Sequence, residues 1–98
     1  MRIYAGVTRD ELAALDAEGT PLAGVRFVAA SEDEEDEAAA LEEAAEAGDA
    51  VVVAELDDED APIGLDDVAS FHLDADGSGD LAWYARQEVG AVLDALGR

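Results

Sequence analysis

The run RIYAGV at 2–7 is short and rich in β-formers, and it gives way at once to TRDELAALDAEG, where the apolar positions take up helical spacing. The first segment therefore reads as a strand and the second as a helix. Thr8 and Glu11 stand three apart, the separation at which side chain and backbone cap each other reciprocally, and Gly19 supplies the stop. Leu12 and Leu15 fall on the side that faces a core. Residues 25–30, VRFVAA, alternate Val25, Phe27 and Ala29 against Arg26, Val28 and Ala30, the period of a strand with one better buried face.

A second capping box, Ser31 with Glu34, predicts a helix through EDEEDEAAALEEAAEA to Gly48. Its apolar side would be Ala38, Leu41, Ala44 and Ala45, so one large side chain grips the sheet. AVVVAEL at 50–56 is a continuous β-branched run, the pattern of a central strand covered on both faces. DDEDAPIGLDD at 57–67 combines charge, Pro62 and Gly64 and reads as a surface loop. VASFHLD at 68–74 predicts a strand with Ala69, Phe71 and Leu73 on one face and Val68, Ser70 and His72 on the other.

Ala82, Ala85, Val89, Val92, Leu93 and Leu96 then fit one stripe of a final helix from about Gly79 to Leu96. On that helix Trp83 falls off the stripe, among Gln87, Gly90 and Asp94, where it is either covered by the 57–67 loop or another part of the chain or presented to a partner. The order βαβαββα predicts a single α/β domain with a sheet of about four strands, three helices and at least one right-handed crossover.

Composition sharpens this picture. Ninety-eight residues make one domain, and although half are hydrophobic, 22 of those are alanine, so large core side chains are few. The absence of cysteine removes disulfides and thiolate chemistry together. No apolar run is long enough for a bilayer and no secretory leader pattern opens the chain, so a cytoplasmic protein without membrane contact is expected. Twenty-six acids stand against five arginines and no lysine, for a net charge of −21. That balance excludes direct nucleic-acid binding through a basic face. It leaves three sources for the acidity: a high-GC or halophilic proteome, attraction to a basic protein partner, or mimicry of a phosphate backbone.

Residues 74–85, DADGSGDLAWYA, resemble an EF-hand loop at five positions, with Asp74, Asp76, Ser78, Gly79 and Leu81 in place. The twelfth position, which needs a bidentate carboxylate, is Ala85. Any calcium held by Asp74, Asp76 and Asp80 would be weakly bound, and the simpler expectation is a turn at Gly77 and a cap for the next helix. His72 is the only histidine and completes neither a triad nor a zinc site, and Gly6 stands alone without a dinucleotide fingerprint.

The stretches MRIY, EAAALEEAA, VVVAEL, DVASFHLD and DLAWYARQEV resemble an uncharacterised family of small acidic actinobacterial proteins, a domain of unknown function. The resemblance implies a bacterial cytoplasmic α/β domain and carries no site. The expectation for function is a non-enzymatic domain without a cofactor, binding a protein through the acidic helix (Glu34, Glu35, Asp36, Glu42, Glu43) and the face of Trp83 and Gln87. A nucleic-acid mimic occupying a basic groove and a weak calcium module are the alternatives.

Overall fold

The computed structural model describes residues 1–97. Five strands, β1 (Arg2–Val7), β2 (Val25–Phe27), β3 (Ala50–Glu55), β4 (Val68–Leu73) and β5 (Ala82–Ala85), form one sheet in the order β2-β1-β3-β4-β5. Three helices, α1 (Arg9–Glu18), α2 (Glu34–Glu46) and α3 (Val89–Ala95), complete the α/β domain. Every strand pairing is antiparallel. Because β2 and β3 flank β1, they run parallel to each other, and α2 carries the chain across β1 as a crossover between strands that are not neighbours.

The local signals at the N-terminal end are realised as read. Glu11 N–H donates to Thr8 Oγ1 at 3.1 Å and Thr8 N–H donates to Glu11 Oε1 at 3.1 Å, while Gly19 adopts the left-handed conformation at φ 71°. β3 is the middle strand of the five, and Ala50 to Ala54 are buried whichever way they point.

The final helix is shorter than expected. Residues 82–85 form the edge strand β5, 86–88 form a single 3-10 turn, and only Val89–Ala95 is α-helical. The helical spacing of Ala82 and Ala85 with the later residues is outweighed by the pairing of Trp83 and Tyr84, good strand residues, with His72 and Phe71 of β4.

The sheet buries both faces unequally. α1 and α3 share one face, where Leu12, Leu15, Val89, Val92 and Leu93 close over Ile3, Val7, Val52, Phe71 and Leu73. α2 lies on the other face over a smaller cluster of Tyr4, Ala40, Ala44, Val51 and Val53. The helix presents Ala40 and Ala44 to the sheet, with Leu41 half-buried and Ala38 exposed, so its inner face is rotated from the expected stripe. Gly6 lets the end of the helix approach β1 closely: a Cβ there would collide with the Ala44 carbonyl and meet Ala47 Cβ at 3.0 Å. The expected Ser31 cap is also replaced, since Asp33 is the N-cap residue and Ser31 Oγ donates instead to Asp36 Oδ2 at 2.6 Å.

A bulge reorders β4. Val53 pairs with Ser70 but Ala54 pairs with Val68, leaving Ala69 as the extra residue. Val68 therefore joins Phe71 and Leu73 in the large core, and Ala69, expected there, is exposed. The 57–63 segment is held by Arg26, whose guanidinium donates to the carbonyls of Glu59 at 2.7 Å and Ala61 at 2.6 Å as well as to those of Ala23 and Leu22. Beside it Leu22 and Ile63, both fully buried or nearly so, exchange backbone bonds.

Candidate functional site

Register determines what the α2 side of the sheet displays. Tyr4, Val53, Ser70 and Ala85 form one row across β1, β3, β4 and β5, and Gly6, Val51, His72 and Trp83 form the next. α2 packs over β2, β1 and β3. The β4–β5 arm projects beyond the helix, and a trough runs between them as three adjoining hollows of about 320 to 400 Å³. Its floor is Val51, Val53, Ser70 and His72, with Ala38, Leu41 and Ala45 on the helix side and Leu81 and Trp83 on the opposite side. Trp83 is 63 % exposed, the largest such value among the exposed large hydrophobic side chains.

The charge around this apolar floor is one-sided. Glu37, Glu42 and Glu46 come from α2, and Asp74 and Asp80 come from the loop between β4 and β5. Arg2 stands at one end, but its charge is engaged: its guanidinium donates to Glu37 at 3.1 Å and Glu55 at 2.9 Å. The Glu55 carboxylate, followed by the Tyr4 side chain, raises the Arg2 pKa. Tyr4 also donates to Glu37 Oε1 at 3.1 Å, and burial, followed by that bond, raises the phenol's pKa.

On the floor Ser70 Oγ and His72 Nε2 are 2.8 Å apart, and burial lowers the imidazole's pKa, which favours its neutral form. Neutral His72 accepts from the Ser70 hydroxyl or donates to it according to tautomer. The hydrogen bond accounts for the buried hydroxyl, as no buried side-chain polar atom among the described residues lacks a partner.

The residues expected to bind a partner separate in space. Trp83 is exposed, but on β5 and not on a helix; Gln87 lies in the 3-10 turn, so the two do not share a helical face. Glu34, Glu35 and Glu43 are exposed outside the trough, Asp36 is half-buried against Ser31, and Glu42 lines the trough. Glu37, Glu46, Tyr4 and Leu81 were not singled out from the sequence. Reading LAWYA as a strand after a Gly- and Asp-rich loop would have found this wall.

The 74–80 loop turns its oxygens toward its own backbone. Asp74 Oδ2 accepts from Gly79 N–H at 2.9 Å, Asp76 Oδ1 from Ser78 N–H at 3.0 Å, and Ser78 Oγ from Asp80 N–H at 3.2 Å. The bonds from Ser78 lower the Asp76 pKa. Gly77 and Gly79 take φ values of 78° and 89°, making the turn the sequence suggested, although the loop leads into a strand where a helix was expected. Among the described residues no group of three or more His, Asp or Glu side chains is placed to hold a metal ion, and no helix is long and apolar enough to cross a membrane.

Compared with known protein families, curated proteins and solved structures, the chain matches none.

Proposed function

We propose that this protein is a non-enzymatic interaction module that receives a basic protein partner at the trough between α2 and the β4–β5 arm. The observation that carries the reading is Trp83, 63 % exposed on the wall of a hollow that Glu37 also lines and that adjoins one lined by Glu42, Glu46 and Asp80. An exposed indole offers a flat apolar surface and a π-face for a lysine or arginine side chain. Glu37, Glu42, Glu46 and Asp80 supply the complementary charge, and long-range attraction from a net charge of −21 speeds the encounter. A basic side chain can lay its aliphatic stem on Leu41 and Ala38 while its charged end meets these acids.

The test uses a defined probe, a nine-residue peptide of alternating arginine and valine, titrated into the isotopically labelled protein at 0.05 and 0.15 M NaCl. Amide shifts confined to 37–46, 70–74 and 79–84, with a change in Trp83 emission and at least tenfold weaker binding by Trp83→Ala, are the expected result. Shifts spread over every acidic surface, with Trp83→Ala binding as tightly as the parent, would refute it.

A further inference from the structure

We infer that the partner enters as an extended segment that adds a sixth strand to the free edge of β5, with a basic side chain laid across Trp83. This rests on the reading of the trough as a site for a basic partner and specifies how that partner is held.

Among the described residues β5 has β4 on one side and no strand on the other. The orientation of its peptide groups follows from one hydrogen bond. Ala85 N–H donates to Glu88 Oε1 at 2.9 Å, away from β4. Successive residues of an antiparallel strand turn their N–H and C=O groups alternately to opposite sides, so Trp83 turns both of its groups to the free edge with Ala85. Tyr84 and Ala82 then carry the ladder to Phe71 and Leu73. The Glu88 carboxylate occupies the donor at one end of the edge, and the Trp83 donor and acceptor remain as a pair suited to one incoming residue.

Natural edge strands are protected by inward charges, proline, bulges or covering segments. Residues 81–85, LAWYA, contain neither charge nor proline. β2 and β5 are both short, at three and four residues, but at the opposite edge Arg26 binds the carbonyls of Ala23 and Glu59.

Charge selects the occupant. A second copy would bring another chain of net charge −21 to the same edge, whereas a basic segment is attracted to it. The residue that exchanges both backbone bonds with Trp83 lies directly opposite it, on the same face of the sheet. An arginine there is long enough to cross one strand spacing of about 4.8 Å, stack on the indole and direct its guanidinium toward the acids of the trough. Main-chain pairing gives affinity, and the alternate side chains give the preference for a basic and apolar alternation.

The alternating arginine and valine peptide tests this in two N-methylated forms, one methylated at the central arginine and its second neighbours, the other at the intervening valines. Each form keeps one edge free, and only the form methylated at the valines can pair with β5 with an arginine opposite Trp83. At least tenfold tighter binding by the valine-methylated form, with slowed exchange of the Trp83 amide when it binds, is the expected result, and tighter binding by the arginine-methylated form would overturn the arginine opposite Trp83. Equal affinities, with Trp83 emission and the trough shifts still responding, would overturn the added strand while leaving the trough as the site. No response to the unmethylated peptide at 0.05 M NaCl would remove both readings. Sedimentation showing a dimer of the protein alone that Trp83→Lys disperses would overturn the basic occupant in favour of a second copy.

Discussion

Gly48 separates crowding from backbone conformation, because its substitution to alanine needs no left-handed backbone and still has no room. A Cβ there would lie 2.5 Å from Val7 N and 2.7 Å from Gly6 C and Val7 O. All three are backbone atoms of β1, which is paired on both sides, so the usual relief of rotating a side chain is absent. The adjoining turn is tied to the same strand by Asp49 N–H donating to Val7 O at 2.8 Å and by Asp49 Oδ2 accepting from Arg9 N–H at 2.9 Å. Overpacking costs about 1–3 kcal/mol, and loosening the Asp49 bond adds about 1 kcal/mol. Against this, alanine restricts the unfolded chain and returns about 0.4–1 kcal/mol. The net loss should be about 1–3.5 kcal/mol, which for a domain of this size lowers the melting temperature by roughly 4–28 °C. Gly64 is the control: its φ is −89° and a Cβ would have only Asp67 Oδ2 nearby, at 3.5 Å, so Gly64→Ala should be neutral or slightly stabilising. Urea unfolding followed by circular dichroism measures both. If Gly48→Ala and Gly64→Ala unfold at the same urea concentration, close contact between the end of α2 and β1 is not what makes glycine necessary.

Arg26→Ala removes the donor to four carbonyls and should cost about 2–3 kcal/mol, with Arg26→Lys restoring less than half because an ammonium lacks the planar fork; exchange of the Ile63 amide should quicken, and an unchanged melting temperature would show that 57–63 holds its own shape. Added salt should slow hydrogen exchange in α2 more than in β3, since 32–37 is an unbroken acid run and screening shortens repulsion from about 8 Å at physiological ionic strength to about 3 Å at 1 M; equal slowing in both would refute this. His72 should titrate below 6.5, the ordinary value, by NMR. Its contribution to stability is then complete above pH 6.5 and is lost as pH falls through the lower folded value, so the stability difference between the protein and His72→Gln should shrink from pH 7 to pH 5.

Signals confined to neighbouring residues were legible in the sequence. The Thr8–Glu11 cap, the Gly19 stop and the β-branched run of β3 each declare themselves within a few residues. The α/β class and the alternation of elements up to β4 followed from them. What was not legible depends on contacts made across the chain. LAWYA fits a helical stripe as well as a strand until Phe71 and His72 are placed beside Tyr84 and Trp83. The bulge at Ala69 exchanges the faces of Val68 and Ala69, and no local feature of VASFHL announces it. The close approach of α2 to β1 needs Gly6, some forty residues away in sequence. Ser70 and His72 were placed on one face by simple alternation, and they hydrogen-bond there. Trp83 was expected off the apolar stripe of a helix, covered by another part of the chain or presented to a partner; it is exposed, and it lies on a strand.

The position of β1 between β2 and β3 constrains when this sheet can be assembled. Tyr4 waits for Val53, about fifty residues later, whereas Phe71 meets Tyr84 after about a dozen. Loop-closure entropy makes the longer contact about 1 kcal/mol harder to initiate. The meander of β3, β4 and β5 is therefore the part of the sheet that can close first, and β1, the earliest strand to be synthesised, must wait for β3 before it gains its second neighbour. Until then its buried residues, Ile3, Ala5 and Val7, have only the first helix and the short β2 for cover, so β1 keeps an unpaired edge for as long as β3 is missing.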